Sequence, residues 1–246
     1  KKSFAIKMDK EDLFLNMRRF SLIILEENSI PSFFMYELQR WFTGFDVKSF
    51  LLKVSINGVN QGVYALEEKL QKTLLERNNW SGVDIVSPND EWDHQYPANH
   101  VQPFNWDIAS SKFKHLSKKN VGQLHRYQTL LKCNNYKCIK PLIDEKITAK
   151  IDAMRILFGD QASWRGDNFK ILYDTSSGRF FPYFRVENKI TKLKYFFDRS
   201  SYGAAELTKN PLIHQLGKSN TFRELRNQYL WELIENKKLI TDMYDG

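Results

Sequence analysis

Residues 159–188 read GDQASWRGDNFKILYDTSSGRFFPYFRVEN. The segment opens on a polar loop carrying Asp160, Gln161, Ser163, Arg165, Asp167 and Asn168. Two short runs of strand-forming residues follow, joined by a Gly-containing turn, and Glu187 lies just past the second run. A loop set between a helix and a strand is held on a firm frame, so its side chains can be aimed. An Asn amide oxygen is a hard ligand suited to Mg²⁺, which accepts few protein ligands and keeps phosphate oxygens and water. Polar groups at the mouth of such a hairpin can therefore converge on a metal-bound phosphate.

The flanking chain supplies the frame. Pro141 is expected to start a helix in which Ile143, Ile147, Ile151, Met154 and Phe158 recur at helical spacing, with Gly159 closing it. Toward the N-terminus, Lys2–Met8 and Phe20–Leu25 read as strands. Ser29 and Pro31 open a helix bearing Phe34, Leu38, Trp41 and Phe42 and ended by Gly44. Phe50, Leu52, Val54 and Ile56 alternate with Leu51, Lys53 and Ser55; Asn57-Gly58 turns the chain, and Gly62–Leu66 returns. Helix-forming residues run from Glu67 to Arg77, and Val83–Val86 reads as a brief strand. The polar, aromatic-rich stretch 87–120 reads as a connector or lid. Helices resume at 121–133, and Thr221 with Glu224 reads as the capping box of a last helix striped by Phe222, Leu225, Tyr229 and Leu233. The expected fold is α+β: a strand-rich part over residues 1–90 and a mainly helical part over 91–246, together forming one bilobed unit.

Composition narrows the partners. A hydrophobic content of 42% with 14% aromatics belongs to a chain that folds. No run approaches the ~18 apolar residues of a membrane span. The opening KKSFAIKM already alternates like a strand, so the chain is expected to start inside a domain of a longer protein. The net charge of +8 favours an anionic partner: a nucleotide, a phosphorylated polymer or an acidic protein. The lysines are spread along the length with no basic block, which argues against a nucleic-acid surface. Cys133 and Cys138 lack the partners of a zinc site and read as two thiols, or as one local disulfide in an exported protein.

Several groups can carry chemistry. Asp160 or Asp167 can accept a proton from an attacking hydroxyl. Asn168 and Glu187, on either side of the hairpin, can hold a divalent ion. Protein kinases hold Mg·ATP with this order of loop Asn, hairpin and acid, and aim an ammonium at the phosphates through a strand Lys paired to a helix Glu. The residues of that type are Lys7 and Glu37. Glu67 and Glu68 place carboxylates at the end of GVYALEE, within reach of nucleotide, metal or a basic side chain. NGVNQG lacks the GxGxxG spacing and its helix, so it is a turn; Asp93, His94 and His100 have no metal-site spacing.

Taken together, these segments resemble the spore-coat CotH kinase family of atypical, mostly bacterial protein kinases. VSINGVNQGVYALEE is similar to the family's hairpin, GDQASWRGDNFKILYDTSSGRFFPYF to its central signature, and NPLIHQL with NTFRELRNQYLWELIE to its closing segment. The resemblance implies a kinase-like fold, ATP and Mg²⁺ as cofactors, and phosphorylation of Ser or Thr hydroxyls on protein. It makes Asn168 a metal ligand, Glu68 an acid of the nucleotide site and Lys7 the strand lysine. It suggests a spore-coat or cell-surface setting. Ser163 stands where active members carry an Asp or a His-containing loop, and PYFRVEN stands in place of PWDxD, so Glu187 substitutes for the metal Asp. Two further readings follow: a pseudokinase that binds nucleotide or protein as an assembly factor, and a different transferase, such as one moving AMP onto protein.

Overall fold

The computed structural model describes residues 2–9, 11–24, 32–80, 83–86, 126, 129–130, 132–157, 170–184 and 211–245. These are mixed α and β, strand-rich toward the N-terminus and helical at the C-terminus. They fall into two compact units. One contains the described residues up to Trp80 together with those from Glu235 onward; the other runs from Val83 to Ile234.

In the first unit, β1 (Phe4–Lys7), β2 (Arg19–Ile24), β3 (Ser49–Ile56) and β4 (Val59–Glu68) form an antiparallel sheet in the order β1-β2-β4-β3. Register assigns the faces, because residues directly opposite one another share a side. Phe20, Leu22 and Ile24 face Glu68, Leu66 and Tyr64. Phe50 and Leu52 extend these rows on β3, and Phe4 and Ile6 on β1. These residues, with Met17 and Val54, make the apolar core of the sheet. The opposite face carries Lys7, Arg19, Ser21, Glu67 and Ser49.

Two tight turns link neighbouring strands. Asn57 (φ 51°) and Gly58 (φ 80°) join β3 to β4 with residues suited to left-handed backbone. The β1–β2 hairpin closes instead on Leu15 (φ 49°) and Asn16 (φ 62°), with Phe14 and Met17 exchanging backbone hydrogen bonds. The Lys48 ammonium donates to the Leu15 carbonyl.

Helix α1 (Ser32–Thr43) buries Phe34, Met35, Leu38 and Phe42. Gly44, at φ 77°, ends it by donating its N–H to the Arg40 carbonyl. α1 packs on β3, β4 and the C-terminal helix of this unit, Lys237–Asp245. β4 continues through Glu67 and Glu68, so the helical reading of Glu67–Arg77 holds only for α2 (Lys72–Arg77). Pairing with β2 and β3 on both sides outweighs the helix propensity of the two glutamates.

In the second unit, β5 (Val83–Val86), β6 (Lys170–Asp174) and β7 (Arg179–Tyr183) form an antiparallel sheet with β6 central. Ile171, Leu172 and Tyr173 are all buried, as a strand covered on both faces requires. The β6–β7 turn is an Asx turn: the Asp174 carboxylate accepts from the Ser176 N–H and hydroxyl and from the Ser177 N–H. Burial alone would raise its pKa, but these donors lower it below the usual carboxylate value. Gly178, at φ 67°, lies under the Arg126 guanidinium, which donates to its carbonyl at 2.9 Å.

Cys133 and Cys138 form a disulfide with Cα atoms 5.4 Å apart, so the disulfide alternative is the correct one. It brackets the start of α3 (Tyr136–Ile139), where the Asn135 side chain caps the Cys138 N–H. Pro141 lies in a 3₁₀ turn (Lys140–Leu142), and the helix proper, α4 (Glu145–Leu157), starts later than the proline suggests. Asp144 caps it, its carboxylate accepting the Ile147 N–H at 3.0 Å. The Asp144 N–H in turn donates to the Phe180 carbonyl at 2.7 Å, which fastens the helix start to β7. α5 (Pro211–Gly217) and α6 (Asn220–Glu235) follow. Ser219, not Thr221, caps α6, its hydroxyl accepting the Phe222 N–H.

Candidate functional site

Asp160, Asp167, Asn168 and Glu187 lie outside the described residues, as does Ser163. The described part of their surroundings is the hairpin between them. Lys170 faces Tyr183 across the β6–β7 ladder, so the chain reaches β6 and leaves β7 at the same end of the hairpin. The opposite end is the Asx turn at Asp174–Gly178.

Beneath the hairpin sits α4, buried over most of its circumference. It holds an ionic group in its interior. Asp152, Arg155 and Arg226 are each less than 5% exposed. The Arg155 Nε and Nη2 atoms both lie 2.8 Å from Asp152 Oδ1, and Arg226 Nη1 lies 3.6 Å from Asp152 Oδ2. Arg226 also donates through Nε and Nη2 to the Asn227 amide oxygen, at 3.2 and 3.0 Å. One carboxylate between two guanidiniums locks α4 to α6.

The first unit holds the other three candidate residues. Glu68 ends β4 with its side chain fully buried. Arg77 clamps it with two bonds, and Lys48 offers its N–H to Oε2 at 3.3 Å. Arg77 also donates to the Asp46 carbonyl at 2.9 Å, while the Asn78 amide accepts the Asp46 N–H at 2.6 Å and donates to the Asp46 carbonyl at 2.9 Å. Burial works against the charge on Arg77, yet the carboxylates of Glu68 and Asp46 outweigh it, and its pKa is raised. Glu68 is thus an acid whose oxygens are already bonded within the fold.

Glu37 lies on the exposed face of α1, where its carboxylate accepts from Arg40 at 2.7 Å. Lys7 is exposed on β1, and among the described residues no ion pair joins it to Glu37. Lys7 stands opposite Arg19 instead. One residue past the end of β4, the Lys69 N–H donates to the Arg19 carbonyl at 3.0 Å. Two facing cations on one sheet face suit phosphate or carboxylate oxygens. The reading of strand lysine plus helix glutamate missed Arg19, which becomes a neighbour of Lys7 only through strand register.

Among the described residues no group of three or more His, Cys, Asp or Glu side chains converges as a metal site, and no helix is long and apolar enough to cross a membrane. No family model matches the chain, and no curated protein matches it.

Proposed function

We propose that this chain is a kinase-like protein, similar to the spore-coat CotH kinases, that moves the γ-phosphoryl group of ATP to Ser or Thr hydroxyls of a protein. The observation that carries the reading is the β6–β7 register: with Lys170 opposite Tyr183, the loop bearing Asn168 and the segment bearing Glu187 both join the hairpin at one end. Asn168 and Glu187 would hold Mg²⁺, whose charge, when bound, offsets that of the phosphates. Asp160 or Asp167 would orient the acceptor hydroxyl and take its proton as the oxygen attacks. Lys7 would steady phosphate oxygens. Positioning and charge neutralisation supply most of the catalysis in such a site. Glu68, proposed as the acid of the nucleotide site, has both oxygens bonded to Arg77.

The experiment is transfer of labelled phosphate from ATP to a Ser-rich acceptor, comparing the native protein with Asn168→Ala. Transfer by the native protein and its loss in the variant is the expected result; no transfer with Mg²⁺, Mn²⁺ or Ca²⁺ overturns the reading. Product mass separates phosphate from AMP.

The sequence PYFRVEN supports a second reading, a pseudokinase, because the acid at the metal position is a displaced Glu187. A displacement of about 1 Å can cost ~100-fold in rate. This reading expects thermal stabilisation by ATP without turnover, up to ~2.7 kcal/mol with ligand at 100 times its dissociation constant.

A further inference from the structure

The row Lys7–Arg19 starts at the edge strand of its sheet among the described residues. β1 is the outer strand of the β1-β2-β4-β3 sheet, and among the described residues no strand pairs with its far side. The Met8 N–H donates to the Arg18 carbonyl at 2.8 Å, so by antiparallel alternation Ala5 and Lys7 turn their N–H and C=O groups away from β2. Both residues are exposed. Lys7 and Arg19 therefore meet in the non-hydrogen-bonded pair, where cross-strand side chains come closest and like charges repel most. Neither makes an ion pair among the described residues. A lysine on an edge strand alone would serve to discourage chance pairing. Arg19 lies on β2, an interior strand of the sheet, where no edge needs such protection. On this face the acid of β4, Glu67, is buried opposite Ser21.

We infer that the outer edge of β1 captures an extended acidic segment of a partner protein as an added strand, with its carboxylates continuing the row of Lys7 and Arg19. Backbone groups of Ala5 and Lys7 supply the pairing, and the two cations supply the choice of acidic over neutral or basic sequence. The inference shares Lys7 with the proposed phosphate site, but it concerns binding in the absence of nucleotide, so its failure is distinct from a failure of phosphotransfer.

The test is fluorescence polarisation with a labelled decapeptide of alternating Glu and Val at low salt, without ATP or metal. The native protein is expected to bind it, to lose it at high salt, and to ignore the Lys–Val counterpart. Arg19→Glu is expected to weaken binding at least about tenfold through reversed charge. Ala5→Pro removes an N–H that faces away from β2, so the β1–β2 ladder and thermal unfolding stay intact while binding falls by about tenfold or more. Failure to bind the acidic peptide overturns the inference. So does an Ala5→Pro protein that binds as tightly as the native one, which would mark the row as a plain anion site. Equal affinity for inorganic triphosphate in the native and Ala5→Pro proteins, with loss in Arg19→Glu, is expected alongside the peptide result.

Discussion

Arg77 grips Glu68 through two parallel hydrogen bonds, Nη1 to Oε1 at 2.7 Å and Nη2 to Oε2 at 2.6 Å. The Glu68 side chain is fully buried and the Arg77 side chain is 22% exposed, so the pair works in a partly desolvated setting. Arg77→Ala would leave an uncompensated carboxylate in the sheet. The expected loss is about 3 kcal/mol of stability, read by urea unfolding. Replacing both residues by leucine should lose clearly less, because no buried charge is then left alone. Equal losses in the single and double variants would contradict this account.

A second buried charge behaves in the same way with the signs exchanged. Asp152 holds Arg155 and Arg226 between α4 and α6. Asp152→Asn keeps the shape and removes the negative charge, leaving two guanidiniums in the interior. The expected loss is again about 3 kcal/mol, and unfolding should become more sensitive to Arg226→Met in the native background than in Asp152→Asn. A double-mutant cycle with no coupling would show that Asp152 and Arg226 act separately.

His214 sets a pH dependence. Burial disfavours its imidazolium and Lys218 adds repulsion, so its pKa in the folded chain lies below 6.5. Below about pH 6.5 the unfolded chain therefore takes up this proton more readily than the folded one, and stability falls as pH drops. The contribution is fully present above the unfolded value and is lost through the acid range beneath it. His214→Gln should lose less melting temperature than the native protein between about pH 7.5 and about pH 5.5. An identical pH slope in the two proteins would rule this out.

Local chemistry in the sequence located many elements. Asn57-Gly58 announces its turn, and Val83–Val86 is the strand that its residues suggest. Of the stripe Phe222, Leu225, Tyr229 and Leu233, Phe222 and Leu233 are buried on α6, while Leu225 and Tyr229 are half-buried. Other features depend on contacts distant in sequence and leave little local trace. Glu67-Glu68 looks helical until two partner strands claim it. The Leu15-Asn16 turn contains no glycine to mark it. Pro141 suggests a helix start, but the bond from Asp144 to Phe180 fixes the start later. Of the candidate residues, Lys7 was legible as an exposed strand cation. Its neighbour Arg19 was not, because pairing register cannot be read from composition.

The central position of β4 has a consequence for how this chain can change. Glu67 and Glu68 point to opposite sides of the sheet, one with Ser21 and Ser49, the other toward Arg77. Gaining or losing one residue inside β4 would exchange these two carboxylates and misalign the ladders with β2 and β3 together. Length variation in descendants of this chain should therefore gather at the Asn57-Gly58 turn and spare the ten residues that follow it, whatever substitutions those residues accept.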